Sequence, residues 1–489
     1  MVTKTAERRR LREYEGIRGF IERAEALGEL QVVEGADWNL EIGTITELNA
    51  KKKQGAALLF DRIKDYPPGY RILTNSMTCA SRLALVLGLP TNLTDNGLVE
   101  ALRGKPRQWE QQALEFPPEE VGSAPFMENV RRGDDINMFT FPTPLWHELD
   151  VGRYIGTGCN VITRDPDTGQ INAGTYRIQI QDDKTVSLMI SPGKHGRLQM
   201  ENWHAKGQAC PVALSFGHDP LLFCLGAIEI PLATPEYYVA GAIRGEPLPV
   251  VKGPVTGLPI PADAEIVIEG FVPPDEVREE GPFGEWTGYY ARGERAQPIV
   301  KIEAVYYRNN PIILGSPPGR PPYDFSYFRT VVRSSLLKEA LERAGVPDVR
   351  GVWAPMSGGS RLLIVVAIKQ RYAGHARQAG FVASQCREGA YAGRYVIVVD
   401  EDIDPTNTED VLWAMCTRSD PVNDIDFIRR AYSTALDPLV RKGHPSFNSR
   451  AIIDACRPWE WMSEFPAVSE SSPELVAKVR EKWKDVLDL

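Results

Sequence analysis

Hydrophobic and polar positions follow two different periods in the first part of the chain. Apolar residues at helical spacing predict helices in "IRGFIERAEALGEL", which ends at Gly28, in "LEIGTITELNAKKKQ", and in "ASRLALVLGLP", which ends at Gly88 and Pro90. Short β-prone runs, "LQVVE" and "AALLFDRI", lie between these helices. This alternation predicts an α/β segment at the start of the chain.

The pattern changes between positions 120 and 315, where helical periodicity is scarce. Turns rich in Gly, Pro and Asp separate β-prone runs, and "PLATPEYYVAGAIRG" predicts a helical insert among them. The β-prone runs are "GCNVITRD", "AGTYRIQIQ", "TVSLMIS", "AEIVIEGFV", "PIVKIEAVYY" and "PIILGS". Strands at this spacing predict a barrel-like or sandwich-like β domain.

The α/β alternation returns after the Pro/Gly-rich stretch "GSPPGRPPYD". Helices are predicted in "FRTVVRSSLLKEALERAG", "HARQAGFVASQCREGAYAG" and "NTEDVLWAMCTR", and strands in "RLLIVVAIK" and "RYVIVVDEDID". A last helix is marked by Ser472 as N-cap, Pro473 as the first helical residue and Glu474 behind it. Such a terminal helix docks on a neighbouring subunit or packs on its own domain, and the pattern leaves both open.

Composition narrows the class of protein. The 489 residues exceed one domain of roughly 100–200 residues, so we expect two or three domains. The net charge of −9 favours solubility and argues against a nucleic-acid surface. Seven cysteines without a CxxC pair favour a reducing compartment. Because we find neither a signal peptide nor an apolar run of about 18 residues, we expect a cytoplasmic protein without a membrane span.

The stretch "EEGPFGEWTGYY" places two carboxylates, Glu280 and Glu285, five residues apart. Gly281, Pro282 and Gly284 exclude a regular helix, and positions five apart in an ideal strand face opposite sides. Only a bent loop brings both carboxylates to one site, and the glycines permit such a bend. The alternative is a Gly-Pro turn that carries two solvated acids.

A second candidate is "NAGTYRIQI", in which Asn172 and Arg177 lie five residues apart at the entrance of a predicted strand. If strand alternation turns Arg177 inward, burial of its charge requires a carboxylate partner. Glu280 or Glu285 would then supply that partner. The alternative is an arginine on the outer face of the strand.

Asn172 also belongs to a candidate metal set, with His195 in "SPGKHGRLQ" and Glu236 in "TPEYYVAG". These donors suit Mg²⁺ or Mn²⁺ better than structural zinc, although each residue taken singly has a structural or solvated alternative. The sequence lacks a GxGxxG after a strand, GxxxxGK[ST], HExxH and GxSxG. Dinucleotide dehydrogenases, P-loop ATPases, zincins and α/β-hydrolases are therefore disfavoured.

Taken together, these fragments resemble the UbiD family of decarboxylases, which use prenylated FMN. The resemblance covers nearly the whole chain, and its specificity comes from the order and spacing of the motifs. They are "NLEIGTI", "NAGTYRIQI", "KHGRLQMENW", "EYYVAGAIRGEPLPVVKG", "PADAEIVIEGFV", "EEGPFGEWTGYY", "YAGHAR", "YVIVVDEDID" and "VLWAMCTRSDP".

The resemblance implies a metal-bound cofactor. Asn172, His195 and Glu236 match the residues that hold a divalent ion, Mn²⁺ or Mg²⁺, against the cofactor phosphate, with K⁺ as a further ion. Arg394 departs from the family pattern, because many relatives carry a lysine there, although a guanidinium also pairs with phosphate. The full cofactor-binding set implied is Thr157, Asn172, Thr175, Tyr176, Arg177, His195, Glu236 and Arg394.

The resemblance also implies the chemistry. Arg177, Glu280 and Glu285 match the family's Glu-Arg-Glu network, in which Glu285 protonates the carbon that loses CO₂. The implied function is reversible, non-oxidative decarboxylation of an aromatic, heteroaromatic or α,β-unsaturated carboxylic acid through a covalent prenylated-FMN adduct. Two alternatives stay open: an FMN-dependent oxidoreductase on the same barrel, and a non-catalytic cofactor-carrier or assembly protein.

The implied fold is α+β and multidomain. It has an N-terminal α/β segment (1–115), a central split β-barrel that binds prenylated FMN (116–318), and a C-terminal α/β domain (319–489) with a terminal oligomerisation helix.

The implied partners are an aromatic acid and CO₂, a flavin prenyltransferase of the UbiX type, and further copies of the chain in a homodimer or homohexamer. The sequence does not choose among cinnamic, hydroxybenzoic, heteroaromatic and polycyclic acids. We expect the loop after "GSPPGRPPYD" and the segment "RKGHPSFNSRAII" at the pocket wall, with His444 binding a phenol or solvated.

Overall fold

The computed structural model describes residues 14–228, 234–291, 293, 295–441, 443–484 and 486. Sheets of four, ten, three and five strands organise this part of the chain. None of its helices combines the length and the apolar composition that a membrane span requires.

The N-terminal segment alternates helices and strands, as its hydrophobic pattern predicts. Its elements are α1 (Gly16–Ala26), β1 (Leu30–Glu34), α2 (Glu41–Ala50), β2 (Ala57–Asp61), β3 (Arg71–Thr74), α3 (Ala80–Leu87), α4 (Asp95–Ala101) and α5 (Lys105–Gln112). Gly88 ends α3 in the left-handed conformation (φ 66°), which glycine adopts without a steric penalty. β1 and β2 pair in parallel, so that α2 crosses between them.

The central part carries most of the strands. They are β4 (Glu119–Glu120), β5 (Asn129–Arg132), β6 (Tyr154–Gly156), β7 (Asn160–Arg164), β8 (Ile171–Gly174), β9 (Arg177–Ile180), β10 (Thr185–Met189), β11 (Cys210–Phe216), β12 (Pro249–Lys252), β13 (Pro259–Pro261), β14 (Ile266–Val272), β15 (Val277–Glu280), β16 (Arg295–Tyr307) and β17 (Ile312–Leu314). Among the described residues of this part, three α-helices interrupt the strands: α6 (His195–Ala205), α7 (Pro220–Ala227) and α8 (Glu236–Arg244).

Eight of these strands form one curled sheet in the order β6-β9-β10-β16-β14-β11-β7-β8, with β5 and β15 also paired to β16. The curl brings the two end strands close together. Gly156 of β6 and Asn172 of β8 line one and the same cavity. The predicted strand "AGTYRIQIQ" is in fact two strands, β8 and β9, which break at Thr175 and Tyr176. The predicted helical insert is α8; the residues of that prediction that precede position 234 lie outside the described residues.

Strand β17 differs from the expectation. We predicted "PIILGS" as part of the β domain, but β17 pairs in parallel with β3 and completes the N-terminal sheet in the order β1-β2-β3-β17. An entirely buried three-residue run fits either sheet, so its partner is set by topology rather than by local pattern. The chain thus returns to its N-terminal segment immediately before the C-terminal part begins.

The C-terminal part is again α/β. Its elements are α9 (Asp324–Arg343), β18 (Val349–Trp353), β19 (Leu363–Ile368), α10 (His375–Gln385), α11 (Arg387–Ala390), β20 (Tyr395–Asp400), α12 (Thr408–Arg418), β21 (Ile425–Tyr432), β22 (Phe447–Ala455) and α13 (Pro473–Trp483). The sheet order is β18-β19-β20-β22-β21, with the three middle strands parallel. Ser472 caps α13 as predicted, because its side chain accepts a hydrogen bond from Leu475 N at 3.2 Å.

Candidate active site

A cavity of about 530 Å³ lies between the curled sheet and the start of α9. Strands β6, β8 and β9, the first residues of α6 and α8, and the loop that follows β15 form its walls. A site at such a junction is assembled from side chains far apart in sequence. Eight of the ten residues predicted for the site line this cavity: Thr157, Asn172, Thr175, Tyr176, Arg177, His195, Glu236 and Glu285.

Arg177, the first residue of β9, joins the two predicted carboxylates. Its Nε donates to Glu280 Oε1 at 2.7 Å, its Nη2 to Glu280 Oε2 at 2.8 Å, and its Nη1 to Glu285 Oε1 at 3.1 Å. The Arg177, Glu280 and Glu285 side chains are only 15%, 1% and 12% exposed. The alternatives of an outward-facing arginine and a solvated Gly-Pro turn are therefore wrong.

The network places one buried cation between two acids. Burial alone would lower the pKa of the Arg177 guanidinium, but the attraction of Glu280 and Glu285 outweighs burial and raises its pKa. Arg177 therefore stays charged. It donates two hydrogen bonds to Glu280 and one to Glu285. Glu285 lines the cavity, whereas Glu280 does not. Of the two acids, Glu285 is thus the one that a molecule in the cavity could contact.

The loop between the two acids bends as its glycines and proline predict. Gly281 has φ 87°, and a Cβ on Gly284 would lie 2.7 Å from the carbonyl oxygen of Pro318. The loop is tied to the segment before β6, because Val151 N donates to the carbonyl of Pro282 at 3.2 Å. Only a glycine fits this close approach at position 284, so the sequence itself brings Glu285 to the cavity.

The predicted metal set converges on the same cavity. Asn172 lines the cavity from β8, while His195 and Glu236 line it as the first residues of α6 and α8. Burial raises the pKa of Glu236 to about 7, and its Oε2 accepts a hydrogen bond from Ala173 N at 3.0 Å. Burial and the neighbouring Lys194 lower the pKa of His195, which keeps its ring neutral and able to donate a lone pair.

These observations fit a hard divalent cation. A cation beside the buried Glu236 carboxylate would offset the burial that disfavours its charge. In the described part of the chain, no three His, Cys, Asp or Glu side chains are grouped as metal ligands, so a three-residue site here needs the amide of Asn172. That amide is buried, at 3% exposure, with its Nδ2 3.4 Å from Thr163 Oγ1.

The remaining predicted cofactor residues divide into two groups. Thr157 and Thr175 line the cavity, where Thr157 Oγ1 accepts from Ser316 N at 2.9 Å and Thr175 Oγ1 donates to Cys159 O at 2.9 Å. Arg394 does not line it, and its Nη2 is paired with Asp437 Oδ2 at 2.5 Å. The structure therefore does not bring Arg394 to this cavity.

Sequence reasoning also missed residues of the site and misplaced part of its wall. Arg329 and Arg387 line the cavity, and Tyr154 donates to Glu280, yet none of them was singled out. No local signal marks them, since each stands in an ordinary helical or strand pattern. The residues that follow "GSPPGRPPYD" form helix α9 and not the expected loop, although Phe325 and Arg329 of this helix line the cavity. Leu436 lines the cavity, whereas the described residues of "RKGHPSFNSRAII" do not, and His444 is exposed.

The chain matches three family models of 3-octaprenyl-4-hydroxybenzoate carboxy-lyase. The N-terminal domain model matches residues 21–102, the Rift-related domain model residues 119–321, and the C-terminal domain model residues 326–455. Together these matches run through most of the chain in the family's own order.

Individual proteins agree with the family models. A phenolic acid decarboxylase of Streptomyces sp. (strain D7) is 32% identical over 456 residues, which cover 91% of this chain and 92% of the relative. The vanillic acid decarboxylase of Sedimentibacter hydroxybenzoicus in its open form superposes with a TM-score of 0.81 at 32% identity, covering 97% of this chain and all of that one. An evolved dimeric form of the UbiD-class enzyme HmfF from Pelotomaculum thermopropionicum, solved with prenylated FMN, has a TM-score of 0.80 at 26% identity and covers 97% of this chain and all of that one. The chain belongs to the UbiD family of carboxy-lyases.

Proposed function

We propose that this protein catalyses the reversible, non-oxidative decarboxylation of an aromatic, heteroaromatic or α,β-unsaturated carboxylic acid, with Glu285 as the proton donor. The single observation that carries the proposal is the buried Arg177 pair with Glu280 and Glu285 beside a cavity of about 530 Å³. The names of the Streptomyces and Sedimentibacter relatives support an aromatic acid as substrate.

Prenylated FMN is the proposed cofactor, supported by its presence in the HmfF structure. When bound, it supplies the electron sink that an aryl or vinyl carbanion lacks, because such a carbanion cannot delocalise into its own π system. Asn172, His195 and Glu236 would hold Mn²⁺ or Mg²⁺ against its phosphate, with K⁺ as a further ion. A flavin prenyltransferase of the UbiX type would supply the cofactor.

The chain's own residues then position the acid and move the proton. Arg177 keeps its positive charge at the cavity wall and orients an anionic group there. Glu285 delivers its proton to the carbon that has lost CO₂, and takes it back when the reaction runs as a carboxylation. Phe283 and Trp286 on the same loop line the cavity and keep water from this proton.

We further propose a domain division at 1–115, 116–318 and 319–489, with the curled sheet as a split β-barrel and α13 as an oligomerisation helix. α13 lacks buried residues along its length, and its apolar side chains recur every three or four positions. These are Leu475, Val479, Trp483 and, just beyond the helix, Val486, exposed by 49%, 37%, 41% and 70%. Such a stripe fits a homodimer or homohexamer in which α13 covers another subunit.

The experiment is a screen of aromatic and unsaturated acids with protein co-expressed with a flavin prenyltransferase. CO₂ release, with deuterium uptake from D₂O at the vacated carbon, is the expected result. NADH oxidation with an FMN-like spectrum and no CO₂ release would instead support an oxidoreductase. Full turnover by Glu285→Gln would contradict the assigned proton donor.

A further inference from the structure

A fully buried tyrosine lies next to the Arg-Glu network. Tyr154 begins β6 at 0% exposure, and its hydroxyl donates to Glu280 Oε1 at 2.9 Å. Its ring stacks on Phe283 with centroids 3.8 Å apart and planes 24° apart. Trp146 Nε1 donates to the carbonyl of Tyr154 at 3.0 Å, which fixes the backbone of β6 at this point.

The direction of the Tyr154 hydrogen bond is set by its surroundings. Burial, and then the nearby charge of Glu280, raise the pKa of the Tyr154 phenol, so the hydroxyl stays protonated and acts as a donor. Among the described residues, the Glu280 carboxylate therefore accepts three hydrogen bonds: two from Arg177 and one from Tyr154. Charge-assisted bonds of this kind are short and directional.

The geometry of a guanidinium links this bond to Glu285. Its donors lie in one rigid plane, so the orientation of the Glu280 carboxylate sets the orientation of the whole Arg177 fork. The Nη1 of that fork is the group that contacts Glu285 at 3.1 Å. A Glu280 carboxylate free to rotate would displace Nη1 from Glu285.

We propose that Tyr154 is a positioning residue for proton delivery: its hydroxyl fixes Glu280, and through Glu280 the Arg177 group that orients Glu285. The inference rests on the proposed function of Glu285. The simpler alternative is that Tyr154 is only a core residue, whose hydroxyl adds to stability without affecting the site.

The variant Tyr154→Phe separates these alternatives, because it keeps the ring, its volume and its stacking on Phe283 and removes a single O–H. Tyr327→Phe is a matched control. Tyr327 is 3% exposed, donates to the Asp95 carboxylate at 2.5 Å, and does not line the cavity. In enzyme of equal cofactor content, we expect Tyr154→Phe to lower kcat about tenfold with KM changed by less than about twofold. We expect Tyr327→Phe to match the wild type.

The pH profile is the readout that a purely structural tyrosine would not move. A carboxylate that loses a hydrogen-bond donor takes up a proton at higher pH, so the acidic limb of kcat should move to higher pH in Tyr154→Phe. Equal kcat and superimposable pH profiles for Tyr154→Phe, Tyr327→Phe and the wild type would overturn the proposal. If Tyr154→Phe is normal while Glu285→Gln is inactive, only the role of Tyr154 fails; if Glu285→Gln keeps full turnover, the proposed function fails with it.

Two further measurements complement these tests: the first does not depend on the folding of Tyr154→Phe, and the second does not depend on activity. Replacing Tyr154 by 3,5-difluorotyrosine keeps the ring and strengthens the donor, and should move the acidic limb to lower pH; an unchanged limb would count against the proposal. In cofactor-free protein with ¹³C-labelled glutamate, the infrared band of protonated carboxyl groups should appear at higher pH in Tyr154→Phe than in the wild type. That difference should vanish in a Glu280→Gln background, and its persistence there would contradict the assignment.

Discussion

Arg177 and Glu280 form a bidentate ion pair, with an Nε–Oε1 distance of 2.7 Å and an Nη2–Oε2 distance of 2.8 Å. Bidentate pairing fixes the plane of the guanidinium as well as its charge. The remaining Nη1 edge points toward the cavity, where it contacts Glu285. The two acids are therefore not equivalent: Glu280 anchors the arginine, and Glu285 lines the cavity.

Glu285→Gln tests this division. Glutamine keeps the length of the side chain and can accept from Arg177, but it has no proton of the required acidity. We expect turnover to fall by at least about 100-fold, the usual contribution of a general acid, while cofactor and metal content stay unchanged. CO₂ release, the visible spectrum and metal analysis measure these quantities. Glu279→Gln, an exposed acid in the same stretch, is the control and should behave as wild type.

Gly284→Ala tests the bend that carries Glu285. The new Cβ would lie 2.7 Å from the carbonyl oxygen of Pro318, closer than such contacts allow, so the loop must move. Because misplacement of a catalytic group by about 1 Å costs up to about 100-fold in rate, we expect kcat to fall between about 10- and 100-fold. Gly122→Ala is the control, since its Cβ meets no atom within 4 Å. Equal kcat for the two variants would contradict a fixed loop.

The bend and the ion pair could be predicted because each has a local cause. Gly281 and Gly284 permit the turn, and a buried Arg177 requires an acid. Charge balance alone does not choose among the 65 acidic residues of the chain. The resemblance to the UbiD family identified Glu280 and Glu285, which lie 103 and 108 positions from Arg177.

Other contacts had no such cause. Tyr154 stands in an ordinary strand pattern, and only the topology of the curled sheet brings its hydroxyl to Glu280. Arg394 could face a phosphate or a nearby acid, and the fold places Asp437 against it. The buried strand β17 fits either of two sheets. In each case the outcome depends on which elements become neighbours, and a sequence pattern does not encode this.

Glu236→Gln tests the proposed metal site. A neutral amide removes the charge that attracts a divalent cation, so we expect the bound Mn²⁺ or Mg²⁺ to be lost, and prenylated FMN with it. Metal analysis of purified protein and the flavin spectrum give both quantities. Glu201→Gln, on the exposed surface of α6, is the control. Full metal content in Glu236→Gln would exclude Glu236 as a ligand.

Trp483→Asp tests the role of α13. A charge in the middle of an apolar stripe makes its burial against another subunit unfavourable, so we expect the assembly to dissociate into smaller species. Light scattering after size-exclusion chromatography measures the mass. Val422→Asp is the control, because Val422 is 88% exposed outside α13. An unchanged mass in Trp483→Asp would place the interface elsewhere.

The burial of His218 predicts how the free energy of unfolding depends on pH. The side chain is fully buried, with Nδ1 3.1 Å from Ser215 Oγ, and burial lowers its pKa from 6.5 to about 4. The unfolded chain therefore binds a proton between pH 6.5 and 4 that the folded protein does not, so stability falls as the pH is lowered through this range. The free energy of unfolding falls by ~3 kcal/mol over this pH range.

His218→Asn removes the titrating group and keeps a polar partner for Ser215. Denaturant unfolding at a series of pH values should show that the variant loses ~3 kcal/mol less than the wild type between pH 6.5 and 4. His444→Gln is the control, because it replaces an exposed histidine in place of a buried one. Parallel pH dependence in the wild type and His218→Asn would mean that His218 is protonated within the fold, and that its burial does not exclude the charge.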